Sequence, residues 1–312
     1  MTAARRDPRL CAHTKEIFVN SIFTPVSLNK SEQYYALWQR TPRRSLDYTL
    51  ANLWGWQSYY GLEWAFEDGL CWIRQTRPAP ACWAPLGDWQ AAPWADIFRE
   101  TGPEGRSFIR VPEELVRIWE AALPGRVEAA EDRGQWEYLY KQDDLANLPG
   151  NRYHKKKNHF NSYVKTYGEP DYRPLDDAMV EDVLGLEDDW CQWHECEDSP
   201  SLRAENEAIN RVLSHWTDFR GLSGGSLYVD GKMVAFSVGE DLGDGHLGAH
   251  YEKGLNGFKG VYQAINCLFA RNAGAGFAYV NRAQDLDEEG LRQAKMTYLP
   301  ADFLRKYKVT VR

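Results

Sequence analysis

Between Asp176 and Arg312 the apolar residues switch repeatedly from helical to strand spacing, and this alternation restricts the region to an α/β architecture. Met179, Val183, Leu186, Trp190 and Trp193 recur every three or four residues, as one face of an amphipathic helix requires. Ala204–Trp216 repeats the pattern through Ala208, Ile209, Val212, Leu213 and Trp216. Apolar runs at 225–229 and 233–239 then flank Asp230-Gly231, the strongest hairpin signal in the chain. His246–Glu252 reads as a third strand and Gly260–Asn272 as another amphipathic helix. The short run Phe277–Val280 reads as a buried strand, and Glu288–Tyr298 as a helix stopped by Pro300. A last strand is expected at Lys306–Arg312.

A similar order precedes it. Short helices are expected around Tyr34–Trp38 and Leu50–Trp56, and a hairpin over Gly61–Thr76 turning at Asp68-Gly69. A strand at Ala81–Ala84, a helix at Trp94–Glu100, a strand at Ser107–Val111, a helix at Glu113–Leu123 and a strand at Trp136–Tyr140 follow. With 312 residues, two domains are the natural expectation. The expected organisation is a polar tail over 1–19, one α/β half over 20–144 and a second over 145–312 that carries the site. The basic stretch near 145–168 would join them.

Hydrophobic residues make up 43% of the chain, including 13 Trp, 17 Tyr and 12 Phe, enough for large cores and incompatible with a disordered protein. No apolar run approaches the roughly 18 residues of a membrane span, and the first residues lack the apolar core of a secretion signal. The scattered cysteines suit a reducing cytoplasm better than a disulfide framework. In Cys191-Gln192-Trp193-His194-Glu195-Cys196, buried thiols beside a surface histidine are expected rather than a zinc site, and no metal or tightly bound cofactor is expected elsewhere. The net charge of −8 is unevenly spread: residues 145–168 contain no acid, whereas 176–207 hold twelve acids and one base, Arg203. That balance argues against indiscriminate nucleic-acid binding but allows one phosphate-rich segment to be held.

Four features carry chemistry. The segment Lys253–Gly260 joins a strand to a helix, and its glycines would present backbone N–H groups to a phosphate, with Lys253 or Lys259 adding charge. An ordinary glycine-rich connection is the alternative, since the spacing matches no dinucleotide or P-loop fingerprint. Arg152, His154, Lys155, Lys156 and Lys157 would contact phosphates, or form a solvated helix face. Glu240 closes one strand, and His250 and Glu252 lie two apart on the next, which places them on one face. Glu240, Glu252 or His250 would take a proton from an amine, or form a cross-strand polar pair. Finally, Asn281, Arg282 and Asp285 stand at a strand end, with Arg292 and Lys295 three apart on the helix that follows. Together they would grip phosphates or a developing oxyanion; a structural ion-pair network is the competing reading.

The run from Asp144 through Phe160, the strand end at Glu240, His250–Lys253, Lys259–Asn266 with Tyr262, Asn281-Arg282 through Lys295, and Tyr298–Pro300 resemble the family related to the C-terminal domain of phosphatidylglycerol lysyltransferases. The resemblance covers nearly all of residues 20–312. It implies an α/β (α+β) chain of two tandem GNAT-like acyl-CoA N-acyltransferase folds, each a mixed central sheet flanked by helices, akin to the Fem peptidyltransferases. Some members of that wider group move an aminoacyl group from a charged tRNA to a lipid or peptide. The implied activity is acyl transfer in the cytoplasm. The co-substrate would be aminoacyl-tRNA or acyl-CoA, and the acceptor a small molecule, a peptide or a lipid headgroup. His250, Lys253, Lys259, Gly260, Tyr262 and Asn281 would bind the donor; Glu240, Glu252, Arg282, Asp285, Arg292 and Lys295 would perform the chemistry. Two departures bear on the acceptor and on activity. Ala283 follows the Asn-Arg pair where family members often carry Glu, and the membrane-embedded region of the lipid-modifying enzymes has no counterpart in this sequence.

Overall fold

Asp230 and Gly231 adopt φ of +50° and +81°, the left-handed pair that a type I′ turn needs. The turn closes a hairpin between Leu222–Val229 and Lys232–Gly243. The computed structural model describes residues 22–42, 45–99, 101–102 and 105–312, and all that follows concerns those residues. The tail expected over 1–19 lies outside them, as does Cys11.

The described chain divides into two compact units. The first holds residues 22–42, Trp56–Gln135 and Arg305–Arg312, the second 45–55 and Trp136–Leu304. The division therefore differs from the expected break after residue 144. Strand Glu137–Lys141 pairs only within the second sheet, so the boundary falls before it. The carboxylate of Glu137 binds Ser45 Oγ and the Leu46 N–H, which fixes residues 45–55 in the second unit. The basic stretch is no connector: Leu145, Tyr153 and Tyr163 are buried in the second unit's core.

In the first unit the sheet order is Thr24–Pro25, Glu63–Glu67, Leu70–Gln75, Ala81–Trp83, Arg106–Pro112, Lys306–Val311, Val127–Glu131, with Leu86–Gly87 paired to Leu70–Gln75. Its one parallel pair sets Cys82 opposite Phe108. Helix Glu113–Ala122 buries Leu115, Val116 and Trp119, and Trp119 packs against Trp94, Phe98 and Phe108.

The second unit is described with its own labels. Its strands are β1 (Glu137–Lys141), β2 (Asp171–Pro174), β3 (Leu222–Val229), β4 (Lys232–Gly243), β5 (His246–Gly254), β6 (Tyr279–Asn281) and β7 (Asp302–Leu304). Its α-helices are α1 (Leu50–Gly55), α2 (Gln142–Asn147), α3 (His154–Tyr167), α4 (Val180–Trp193), α5 (Pro200–Leu213), α6 (Val261–Arg271) and α7 (Glu289–Met296). The strand order is β7-β1-β6-β5-β4-β3-β2, with only β5 and β6 parallel. Tyr138, Tyr140, Leu145 and Val280 pack with α6 residues on one face of the sheet. Helices α4 and α5 meet the side chain of Lys253 on the other.

Both sheets share one device. A parallel pair is followed by a helix and an outer strand, and a strand from elsewhere in the chain enters between them. In the first unit that strand is Lys306–Val311, which follows β7 in sequence; in the second it is β1, which follows Val127–Glu131. The last strand thus forms where expected but belongs to the first sheet.

Candidate functional site

The parallel ladder between β5 and β6 runs through three pairs and ends at Gly248 opposite Asn281. Two features end it. On β5, Val238 faces Tyr251 and Gly239 faces Ala249, so His250 is an inserted residue, a β-bulge. On β6, the buried Asn281 side chain donates to Glu137 at 2.5 Å and accepts the Ala283 N–H at 3.0 Å, turning the chain away with Ala283 at φ +56°. Asn281 is therefore a fixed corner of the backbone rather than a donor-binding side chain.

Arg282 projects just past that corner. Its Nη2 lies 3.2 Å from Glu252 Oε1, and its guanidinium 4.9 Å from the Tyr298 ring centre and 5.9 Å from that of Tyr140. Burial lowers its proton affinity, but Glu252 and the two tyrosines more than offset this and hold it cationic. Glu252 also accepts from Asn266 Nδ2 of α6 at 3.0 Å. On the same tyrosine sits Lys156, 4.0 Å from the Tyr298 ring. Burial and the neighbouring Arg282 depress its pKa. Burial pushes the Tyr298 hydroxyl up to about 12, with Arg282 opposing. Lys295 Nζ donates to the carbonyls of Arg282 and Ala283. Burial, then Arg282, bring it down to about 7. Glu252, Arg282, Lys295 and Lys156 thus form one cluster holding three bases and one acid.

Asp285 and Arg292 bind each other at the edge of this cluster, where the Asp285 charge still reaches Lys295. The fully buried Asp285 accepts from Tyr138 Oη at 2.5 Å, from Arg292 Nε and Nη2 at 2.8 and 2.9 Å, and from the Asp287 N–H at 2.9 Å. Burial raises its pKa, but these hydrogen bonds win and hold it at about 2. Arg292 spends its remaining reach on Asp287, 2.6 Å away. This is the structural ion-pair network, and it corrects the expectation that Arg292 meets phosphate or an oxyanion.

The bulge also overturns the shared face of His250 and Glu252. Glu252 points to α6, whereas His250 Nε2 is 2.9 Å from Glu240 Oε2 and 3.4 Å from Thr49 Oγ1, next to α1. Both members of the His250–Glu240 pair are buried. Lys253 is on that side too, and it is consumed internally. Its ammonium lies 2.7 Å from Glu205, 4.0 Å from Glu187 and 3.6 Å from the Trp190 ring, so it offers nothing to a phosphate. Glu187 escaped the sequence reading, although its place on the apolar stripe between Val183 and Trp190 was a visible signal.

At the start of α6, Gly260 has φ +79°, and a Cβ there would meet the His159 carbonyl oxygen at 2.3 Å, so only glycine fits. The Lys259 N–H is bound by the Tyr167 hydroxyl at 3.0 Å and its side chain is exposed. Tyr262 accepts from Trp190 Nε1 at 2.9 Å, which ties α6 to α4. Among the basic residues, Arg152 pairs with Asp144 at 2.9 Å, an acid just outside the acid-free run, and His154 with the Asn151 carbonyl at 3.0 Å. Lys155 and Lys157 remain exposed. Cys191 and Cys196 form a disulfide instead of two free thiols: Glu195, at φ +51°, folds the chain back and brings their Cα atoms within 5.1 Å.

The profile of the family described as phosphatidylglycerol lysyltransferase, C-terminal, matches residues 38–310. A crystal structure of a conserved protein of unknown function from Bacteroides thetaiotaomicron covers 94% of this chain and 100% of its own, with a TM-score of 0.84 and 29% identity. L-PGS from Bacillus licheniformis covers 90% and 91%, with a TM-score of 0.61 and 11% identity. FemX covers 92% and 96%, with a TM-score of 0.57 and 9% identity. An uncharacterized protein of Mycoplasmoides gallisepticum is 26% identical over 175 residues, 56% of this chain and 56% of the relative, so the match spans little more than half of that relative's length. The two mixed sheets flanked by helices are the tandem GNAT-like and Fem-type fold that the resemblance implies. No helix among the described residues is long and apolar enough to cross a membrane.

Proposed function

Because the chain belongs to the family of phosphatidylglycerol lysyltransferase C-terminal domains, we propose that this transferase-type fold moves an aminoacyl group, from a charged tRNA or another activated donor, onto an amine or hydroxyl acceptor. The observation that carries the reading is Arg282. It is a permanent cation clamped by Glu252 and Tyr298 beyond the end of the β5–β6 ladder, with Lys156 and Lys295 beside it. Such preorganised charge stabilises an oxyanion at no reorganisation cost. Glu252 is committed to Arg282 and Asn266 and acts as a positioning residue. The proton acceptor is then the Glu240–His250 pair, which touches neither. Donor phosphates would meet the start of α6 near Lys259-Gly260, and Lys155 and Lys157 would meet an RNA backbone.

The alternative donor is acyl-CoA, whose phosphates would meet the same helix start at α6. A third reading, RNA binding without turnover, draws on Ala283, where the expected carboxylate is missing. Transfer assays with lysyl- and alanyl-tRNA and with acetyl-CoA, on wild type and Arg282→Ala, separate the three. Transfer from charged tRNA that falls at least a hundredfold in Arg282→Ala supports the first reading. Turnover with acetyl-CoA alone supports the second, and salt-sensitive RNA binding with no turnover the third.

A further inference from the structure

Residues 45–49 come from a distant part of the sequence and lodge where β5 and β6 part. Their core is the buried turn Leu46–Tyr48. Leu46 packs on Gly248, the last residue of the parallel ladder, where an added Cβ would meet Leu46 Cδ2 at 2.5 Å. Thr49 Oγ1 is 3.4 Å from Nε2 of His250, the inserted residue of the bulge. Toward β6, the buried Asp47 carboxylate accepts from Gln284 Nε2 at 3.2 Å. The segment therefore touches the bulge of β5 through Thr49 and the turn that carries Arg282 through Asp47.

One side chain locks it there. Glu137, fully buried at the start of β1, accepts from Ser45 Oγ, from the Leu46 N–H at 3.3 Å and from Asn281 Nδ2 at 2.5 Å. The Ser45 hydroxyl itself receives the Asp47 N–H at 3.2 Å, so its own proton goes to Glu137. Asn281 spends its amide nitrogen on Glu137 and its oxygen on the Ala283 N–H, and so brackets Arg282 on both sides. A carboxylate accepts at both oxygens, whereas a glutamine in its place would aim an N–H at one of these donors. Misplacing a buried group among buried donors is costly, so the turn has one favoured setting.

We propose that Glu137 is a positioning residue of the site: through Asn281 it sets the turn that aims Arg282, and through Ser45 and Leu46 it holds that turn against residues 45–49. It meets no reacting group itself. Its effect on turnover rests on the transferase reading above, in which Arg282 stabilises the oxyanion. A preorganised cation is useful only while its backbone is held, and Glu137 is the group that holds it.

Heteronuclear NMR of the nitrogen-labelled full chain tests this through the Arg282 Nε–Hε signal, assigned by its loss in Arg282→Lys. Glu137→Gln is expected to shift or broaden that signal and to lower kcat at least about tenfold, with KM nearly unchanged. Ser45→Ala, which deletes one donor and keeps the carboxylate, should do the same to a smaller degree. Val234→Ala, a change in the buried core of β4, is the stability match. It should lower the melting temperature and leave the Arg282 signal and kcat per folded molecule unchanged. In the double variant Glu137→Gln with Asn281→Asp, donor and acceptor are exchanged across the 2.5 Å bond, and part of the kcat should return. An unmoved Arg282 signal in Glu137→Gln and Ser45→Ala overturns the proposal, as does an equal kcat loss in Val234→Ala. A moved signal with wild-type turnover would instead remove Arg282 from the chemistry, and with it the transferase reading, and leave Glu137 as its anchor. If the wild type transfers from no donor, the transferase reading falls, and the Arg282 signal alone decides for or against Glu137.

Discussion

Arg282 Nη2 and Glu252 Oε1 stand 3.2 Å apart just beyond the last paired residues of β5 and β6. The carboxylate comes from a strand and the guanidinium from the turn that leaves its neighbour, so the pair spans the point where the two part. Removing one partner leaves the other largely buried without compensation. Glu252→Gln is expected to cost roughly 1–3 kcal/mol in urea unfolding and to lower transfer more than the stability loss explains. A variant with wild-type turnover at matched folded fraction would remove Glu252 from the site.

The Lys295 ammonium sets a pH signature. Its folded-state pKa, about 7, lies below the ordinary 10.5, so the unfolded chain binds the extra proton between these values. Stability conferred at this position therefore rises with pH across that window and is lowest below pH 7. Unfolding of wild type and Lys295→Met, compared from pH 6 to pH 10, should show wild type gaining on the variant as the pH rises. A constant difference would mean that the amine is not depressed.

Asp285 carries the opposite sign. Held at about 2 against an ordinary 3.8, its contribution is fully present above the higher value and lost as pH falls toward the lower. Asp285→Asn is expected to destabilise by about 2 kcal/mol at pH 7 and by little at pH 2. The double variant Asp285→Asn with Arg292→Met should lie closer to wild type than the sum of the singles, because no charge is then stranded. Additivity in a double-mutant cycle would contradict the pairing.

Gly260→Ala should be poorly tolerated. The left-handed φ and the His159 carbonyl at 2.3 Å from the new methyl act together, and a loss of about 2–3 kcal/mol is expected. Thermal unfolding of the variant is sufficient to check it.

The basic helix should divide by residue. Lys155→Ala and Lys157→Ala are expected to weaken RNA binding and flatten its salt dependence. Lys156→Ala, which uncovers the Tyr298 ring, should lower turnover instead. Filter binding at several salt concentrations and a turnover assay on the same three variants separate the two effects.

Most of the elements were legible because each has a strong period of its own: the 230–231 turn, the apolar stripe of α6 and the hairpin around Asp68-Gly69 all form where the sequence places them. The bulge was not legible. One inserted residue leaves the alternation on either side of His250 intact, yet it sends His250 and Glu252 to opposite faces. Partner choice was equally hidden. Spacing sets Arg292 and Lys295 on one helical face, but Asp285 captures the first while the carbonyls of Arg282 and Ala283 hold the second. Strand pairing at long range has the same character, since Lys306–Val311 announces a strand without naming its sheet.

The crossed placement of β1 and Lys306–Val311 bears on how this protein can be cut. A fragment ending near residue 135 would lack the strand that separates Arg106–Pro112 from Val127–Glu131, and its remainder would carry that strand with no sheet to receive it. Neither piece is a sound expression target on its own. Nicked at the exposed Thr217-Asp218 between α5 and β3, the first fragment would keep β1 and β2 of the second sheet and the other fragment Lys306–Val311 of the first, and the two should co-purify as a non-covalent pair until denatured.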